Sequence, residues 1–270
     1  MQCYFITQAV DILDDTLYGR GLAYYGTEGT GTLSPRVSNS ETMVASLDNL
    51  TPIFCVVVVA LVVVGIIYSH IQKKKRREAL VALAKQLGLR LNTGKDHRIA
   101  SSYRFLDKLS QGSNRYAYNI LSGEWQNRDV RAFDYHYATH SRDSKGKRRT
   151  NHHYLSFFIL HLPRDFPELK ISREGFLSKI AQAVGYDDID FESHEFSRRF
   201  CVRCPDKKLA YDICNAQMID YLLDNGDLNI EIEGSALALG FDHTLVVEAI
   251  EHNLGRILKI RSLIPGYLFG

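Results

Sequence analysis

Cysteine is sparse and scattered in this 270-residue chain. Its five thiols, Cys3, Cys55, Cys201, Cys204 and Cys214, are too few and too far apart to form a disulfide scaffold. Proline is equally scarce at 6 residues and aromatics reach 11%, which excludes a disordered or fibrous chain. Neither sign of charge is in excess, with Lys+Arg 33 against Asp+Glu 31, so nucleic acid is not an expected partner. Familiar signatures of chemistry are missing too. G-x-x-x-x-G-K-[ST], G-x-S-x-G and H-E-x-x-H do not occur, and Gly26, Gly29 and Gly31 lack the G-x-G-x-x-G order. The run Asp224, Asn225, Gly226, Asp227 has the composition of a calcium loop but reads as a hairpin or helix-exit turn. No cofactor and no metal is expected, and nothing in these motifs marks an enzyme.

What the chain does have is one long apolar run. Residues 50–72 carry no charged side chain, and twelve of the sixteen residues from Ile53 to Tyr68 are Val, Ile, Leu or Phe. At roughly −0.3 to −0.6 kcal/mol each near a bilayer centre, these favour insertion by about 5 kcal/mol. A helix of that length extends roughly 35 Å, enough to cross the hydrocarbon. The valine-rich core has no polar face, unlike a soluble core helix, and it lacks the basic n-region and small-residue exit of a cleaved signal. Residues 50–72 are therefore predicted to be a transmembrane helix.

Charge sets the orientation. Residues 73–92 hold seven bases and one acid, Glu78, whereas the twenty residues before the span hold one base, Arg36. The positive-inside rule then predicts a plasma (inner) membrane protein with its N-terminus outside and its C-terminal domain cytoplasmic. Lys73, Lys74, Lys75, Arg76 and Arg77 are the lipid and topology candidates, each adding at most about 1 kcal/mol on anionic headgroups. Residues 1–49, with net charge −4 and no sustained period, read as a disordered extracytoplasmic tail. Met43 stands seven residues before the uncharged run, so both Met1 and Met43 remain open as the start.

Beyond the bases, residues 73–112 form a juxtamembrane segment and residues 113–270 an α+β domain. Leu80, Leu83, Ala84 and Leu87 repeat at helical spacing, with Gly88 as a stop, on a face that packs either on the domain or on the membrane surface. A second helical piece covers Ile99 to Leu109. Strands are predicted over Tyr116 to Leu121 and Val130 to Thr139, with Phe133, Tyr135 and Tyr137 on one face and a turn at residues 126–129. A polar loop follows at 140–152. His153 to Leu162, apolar on nearly both faces, reads as a central strand stopped by Pro163 and Pro167. Ser172 is predicted to cap a helix closed by Gly185. Phe196 to Cys204 reads as a strand, and Asp206 as the cap of a helix burying Leu209, Ala210, Ile213, Cys214, Met218 and Leu222. Leu228, Ile230 and Ile232 alternate as a half-buried strand, and Gly234 turns the chain. The last helix is expected to bury Val246, Ile250, Leu254 and Ile257 and to expose Arg256. Neighbouring strands with helices interleaved out of strict βαβ order predict a mostly antiparallel sheet.

Three sets of residues are candidates for chemistry. Cys201 and Cys204 have C-x-x-C spacing, but positions i and i+3 of a strand face opposite ways and no second pair completes a zinc site, so inert thiols are expected. Asp134, His136 and His152 are the weak catalytic candidates: paired strands could bring a histidine and a carboxylate together, with His140 and His153 nearby. Arg142, Lys145, Lys147, Arg148 and Arg149 form a basic loop suited to an acidic partner or to lipid; no aromatics interleave there, which argues against nucleic acid.

A hydrophobic helix, a basic run and the segments ALVALAKQLGL, NILSGEWQNRDVRAFDYHY and LNIEIEGSALAL, together with the stretch from Leu162 to Leu223, resemble a bacterial family of single-pass membrane-anchored proteins of unknown function. The resemblance spans roughly residues 50–240 and implies a cytoplasmic α+β domain. It brings no activity, and it implies that the Cys201 and Cys204 positions are not reserved for cysteine. The expected function is a membrane-anchored domain that binds another protein at the cytoplasmic membrane face or acts as a scaffold, alongside membrane lipid. The alternative is a membrane-tethered hydrolase or metal-dependent enzyme using Asp134, His136 and His152.

Overall fold

The structure is a computed structural model that describes residues 50–103, 106–142, 146–173 and 188–270. The tail 1–49 and the helix expected after Ser172 lie outside these residues. The chain divides into two compact units, Met1–Val63 and Val64–Gly270. Helix α1, Leu50–Leu87, runs through the division. Among the described residues one helix is long and apolar enough to cross a membrane, Val56–Leu87, and none of its apolar window is buried. A soluble core helix would bury that surface.

The end of α1 follows from two side chains and a glycine. Leu80 and Ala84, one turn apart, are buried in the core, so this face packs on the domain. Gly88 then adopts φ +70°, which lets Leu89 N–H reach the Ala84 carbonyl at 2.9 Å and Gly88 N–H reach that of Lys85 at 3.4 Å. This is the Schellman stop that only glycine accepts without strain.

Six strands form one sheet: β1 (Arg90–Asn92), β2 (Ser113–Trp125), β3 (Arg128–Arg142), β4 (Arg148–Arg173), β5 (Phe200–Arg203) and β6 (Ile230–Phe241). They run in the order β1-β2-β3-β4-β5, and β6 also pairs with β4. Every pairing between these strands is antiparallel. β6 pairs with β4 from Ser156 to Ile171, so β3, whose ladder ends at Leu160, and β5, whose ladder begins at Lys170, share its opposite edge. The fold is α+β, as the interleaving of elements predicts.

Both sheet faces are covered, which is why β4 reads apolar on both. On one face Leu121, Val130, Ala132, Phe158, Leu160 and Ile232 pack with the end of α1 and with α5 (Lys207–Ile213), α6 (Ala216–Asp224) and α7 (Ile250–Leu263). On the other, Phe133, Tyr135, Phe157 and Ile159 meet Ile99, Tyr103, Leu106 and Leu109 around α2 (His97–Ser102) and α3 (Asp107–Ser110). Each such Leu, Ile or Phe contributes about 1.5–3 kcal/mol by leaving water. Val64–Gly270 is one compact unit, so residues 80–112 share the packing of the strands that follow.

Several expectations are corrected. The β3–β4 hairpin extends through His140 to Arg142 and back from Arg148, so most of the expected polar loop is paired strand. The turn before β3 has two residues, Gln126 and Asn127, with φ 49° and 59°, matching strand twist. Pro163 and Pro167 do not end β4: the β3 ladder stops at Leu160, and the prolines sit where the β6 register shifts, so no ladder N–H is required of them. Gly234, at φ +55°, likewise kinks β6 without ending it. Ser172 is a strand residue opposite Cys201 rather than a cap. Residues 196–199 belong to α4 (His194–Arg199), capped by Ser193, and the strand begins at Phe200. The six apolar residues after Asp206 are buried as predicted, but over two helices, α5 with its C-cap Cys214 and α6, separated at Asn215, whose side chain caps α6. In α7 Arg256 is only 8% exposed, whereas Val246, which precedes the helix rather than belonging to it, is 47% exposed. Arg256 forks onto Asp227 and also donates to Asn253, an ion pair that helical period alone does not reveal.

Candidate functional site

Asp134 lies in the middle of β3 on the face toward α1, and it is 0% exposed. A bare carboxylate there would be very costly, so its surroundings must supply donors. Three do. Arg76 Nη2 donates to Oδ2 at 2.8 Å, Asn119 Nδ2 to Oδ2 at 2.7 Å, and the Leu245 backbone N–H to Oδ1 at 2.6 Å. Arg76 Nη2 also donates to the Leu245 carbonyl at 2.9 Å. Four chain segments thus meet at one carboxylate: the base of α1, β2, β3 and the loop after β6.

Two bulges in β2 make this possible. The register shifts between Tyr118 and Leu121 and again between Ser113 and Tyr116. Each shift holds an asparagine in the left-handed region, Asn119 at φ 49° and Asn114 at φ 50°. Asparagine tolerates that conformation better than other side-chain-bearing residues. Asn119 turns its amide to Asp134, while Asn114 turns its carbonyl to His136 Nδ1 at 3.1 Å. The sequence signal was present but unread: asparagine is a poor strand former, and two of them interrupt an otherwise regular strand.

His136 is buried and stacks on Tyr116, with ring centroids 4.6 Å apart. Because Nδ1 must donate to the Asn114 carbonyl, neutral His136 accepts at Nε2 from His152 Nδ1, 2.9 Å away. Burial, as the largest cause, pushes the His136 pKa below its ordinary 6.5, and the neighbouring His152 adds to this. Beside it, burial and the Asp134 charge raise the Tyr118 hydroxyl above its usual range. His153 faces the other way, stacked on Tyr137 at 4.5 Å and bonded to Thr139 Oγ1 at 2.8 Å. His140 bonds Thr150 and Ser113.

Of the three catalytic candidates, His136 and His152 do come together. Asp134 does not join them: its hydrogen bonds go to Arg76, Asn119 and Leu245, and none links it to either histidine. Both carboxylate oxygens accept hydrogen bonds, and these tie the aspartate to α1, β2 and the loop after β6 rather than to a histidine.

The basic candidates separate as well. Arg76 is bound to Asp134, Arg77 donates to Thr93 Oγ1 at 3.2 Å, and Lys74 pairs with Glu78 at 3.9 Å. Arg142, Lys147, Arg148 and Arg149 are exposed at the β3–β4 tip, and Lys145 lies outside the described residues. Cys201, Cys204 and Cys214 are free thiols. Burial raises all three, Cys201 to about 11 and Cys214 to about 12, which makes them poor nucleophiles at neutral pH. Sequence reading missed a group of acids, Glu168, Glu231 and Glu233, whose ligand atoms lie within 4.8 Å of one another. Lys170 bonds Glu168 and stands 3.8 Å from Glu231, so a protein ammonium already supplies positive charge there.

No protein-family model and no curated protein matches this sequence. Among solved structures, the chain is similar to the crystal structure of the mycobacterial trehalose monomycolate transport factor A, TtfA, with a TM-score of 0.52 and 11% sequence identity. The match covers 70% of this chain and 95% of that one. Likeness at such low identity shows a shared fold and carries no residue's role across.

Proposed function

We propose that this chain is a single-pass inner-membrane protein with its N-terminus outside, whose cytoplasmic α+β domain is a non-catalytic docking module for another membrane protein. The observation that carries the reading is the clamp of Arg76 on Asp134. Arg76 stands four positions beyond Gln72, the last residue of the uncharged run, or about 6 Å along a helix axis. The clamp thereby ties the base of α1 to β2, β3 and the loop after β6 in a four-segment joint. An enzyme tethered only for local concentration has no use for such a joint, whereas a module presenting one surface beside the bilayer does. The likeness in fold to a protein described as a transport factor supports an accessory role, and the resemblance to membrane-anchored bacterial proteins supports the anchor. The hydrogen bonds of Asp134, none of which goes to His136 or His152, weigh against the tethered hydrolase.

The test is crosslinking in native membranes, followed by identification of captured proteins in wild type and in Asp134→Ala. The expected result is one integral membrane partner, captured by wild type and lost or reduced when the clamp is removed. Digestion of the domain by protease added outside intact cells would overturn the topology. Turnover of a substrate panel by the purified chain, abolished by His136→Ala, would establish the tethered enzyme instead.

A further inference from the structure

The direction of β3 relative to α1 can be read from two contacts. Near the C-terminal end of α1, a Cβ built on Gly123 would lie 3.3 Å from the Leu89 side chain, and Gly123 pairs with Val130. Thirteen residues earlier, Arg76 meets Asp134. As the helix is followed back toward its uncharged run, β3 is therefore followed forward toward its tip. The ladder rows on that face, reading outward from Asp134, are Tyr116–His136–Tyr154, Ala138–His152, His140–Thr150 and finally Arg142–Arg148.

That last row is unusual. Arg142 and Arg148 stand directly opposite each other, both exposed, and the same tip carries Lys147 and Arg149. Like charges directly across a strand pair repel, and neither Arg142 nor Arg148 has an acidic partner among the described residues. The repulsion is relieved by an anion with several oxygens, such as a phosphate, which two guanidinium groups can share. Behind the tip, Tyr154 is exposed and Tyr116 half-buried, with Lys95 Nζ 4.3 Å from the Tyr116 ring. Tyrosine beside basic residues is the composition of a surface at the level of lipid headgroups.

We infer that the β3–β4 tip is a second attachment to the membrane, binding the phosphates of anionic lipid headgroups through Arg142 and Arg148, with Lys147 and Arg149 adding attraction. The inference rests on the membrane anchor proposed above. From Asp134 the strand extends about 26 Å to Arg142, while α1 has only about 6 Å from Arg76 to the end of its uncharged run. The tip therefore lies on the anchor side of the clamp, and its arginines, which hydrocarbon excludes, suit the headgroup layer. The domain is held to the membrane at two points, the clamp and the tip.

The test uses the full chain in lipid nanodiscs of phosphatidylcholine alone or mixed with phosphatidylglycerol, with amide hydrogen exchange measured across β3 and β4. In the mixed discs, exchange at residues 140–142 and 148–150 is expected to slow about tenfold, as a few charges at roughly 1 kcal/mol each would give. High salt should abolish the slowing, and so should the double variant Arg142→Glu with Arg148→Glu. Unchanged protection at Phe133 and Phe157 in that variant shows that its fold is intact; if it is not, Arg142→Gln with Arg148→Gln provides the same test. Equal exchange in the two discs overturns the inference while leaving the anchor standing. Slowing in neutral discs on adding inorganic phosphate overturns the choice of lipid, and slowing seen only in native membranes assigns the tip to an acidic protein. Failure of the chain to enter either disc overturns the anchor, and this inference with it.

Discussion

Replacing Asp134 by alanine removes the one acceptor on which Arg76, Asn119 and the Leu245 N–H converge. Asp134 is 0% exposed and the Arg76 side chain 32% exposed, so water replaces little of what is lost at the carboxylate and only part at the guanidinium. Breaking a buried, hydrogen-bonded charge by deleting one partner costs about 3–5 kcal/mol. For a unit of this size that amounts to a fall in Tm of roughly 6–20 °C. Arg76→Ala leaves the buried Asp134 carboxylate two neutral donors and no counter-charge, so it is expected to cost a similar amount, about 3–5 kcal/mol. The double variant should cost less than the sum, with a coupling of about 1–2 kcal/mol, because both changes break one contact. The assay is thermal unfolding in detergent followed by near-ultraviolet circular dichroism, which reports aromatic packing of the domain and not the helicity of α1. Two results would refute the reasoning: Asp134→Ala melting within about 2 °C of wild type, or strictly additive single and double variants.

Other expectations follow from the same geometry. His136 is held neutral by burial, with its pKa below 6.5, so the unfolded chain binds more protons than the folded one as pH drops through 6.5. Stability is then fully present above pH 6.5 and declines as pH falls toward the folded pKa; His136→Gln should flatten this decline in denaturant titrations at stepped pH. Gly112 and Gly88 both have positive φ, but a Cβ on Gly112 would meet the Ala138 carbonyl at 2.5 Å and one on Gly88 meets nothing within 4 Å. Gly88→Ala should cost about 1 kcal/mol and Gly112→Ala clearly more, a ranking that the same melts would check. Cys201, Cys204 and Cys214 should resist a thiol reagent at pH 8 until denaturant is added, as peptide mapping would show; rapid native labelling of Cys214 would contradict its burial.

Local pattern was sufficient for much of the architecture. A run such as Ile53 to Tyr68 has no option but lipid or burial, and Gly88 ends α1 because nearby carbonyls dictate that geometry. The antiparallel sheet was legible because residues of one kind recur at every second position in β3 and β6, a period that each strand carries by itself. Arg76, Asn119 and Leu245 were another matter. Nothing distinguishes Arg76 from the other four bases beside it until β3 places a buried carboxylate within 2.8 Å. Their partners lie 58, 15 and 111 residues away in sequence, and side-chain period carries no information about such distances. For the same reason Arg256 looked solvent-facing on its helix and proved to be paired with Asp227. Hydrophobic spacing states which surface of an element is buried, and it is the packing of whole elements that decides which charge each buried polar group will meet.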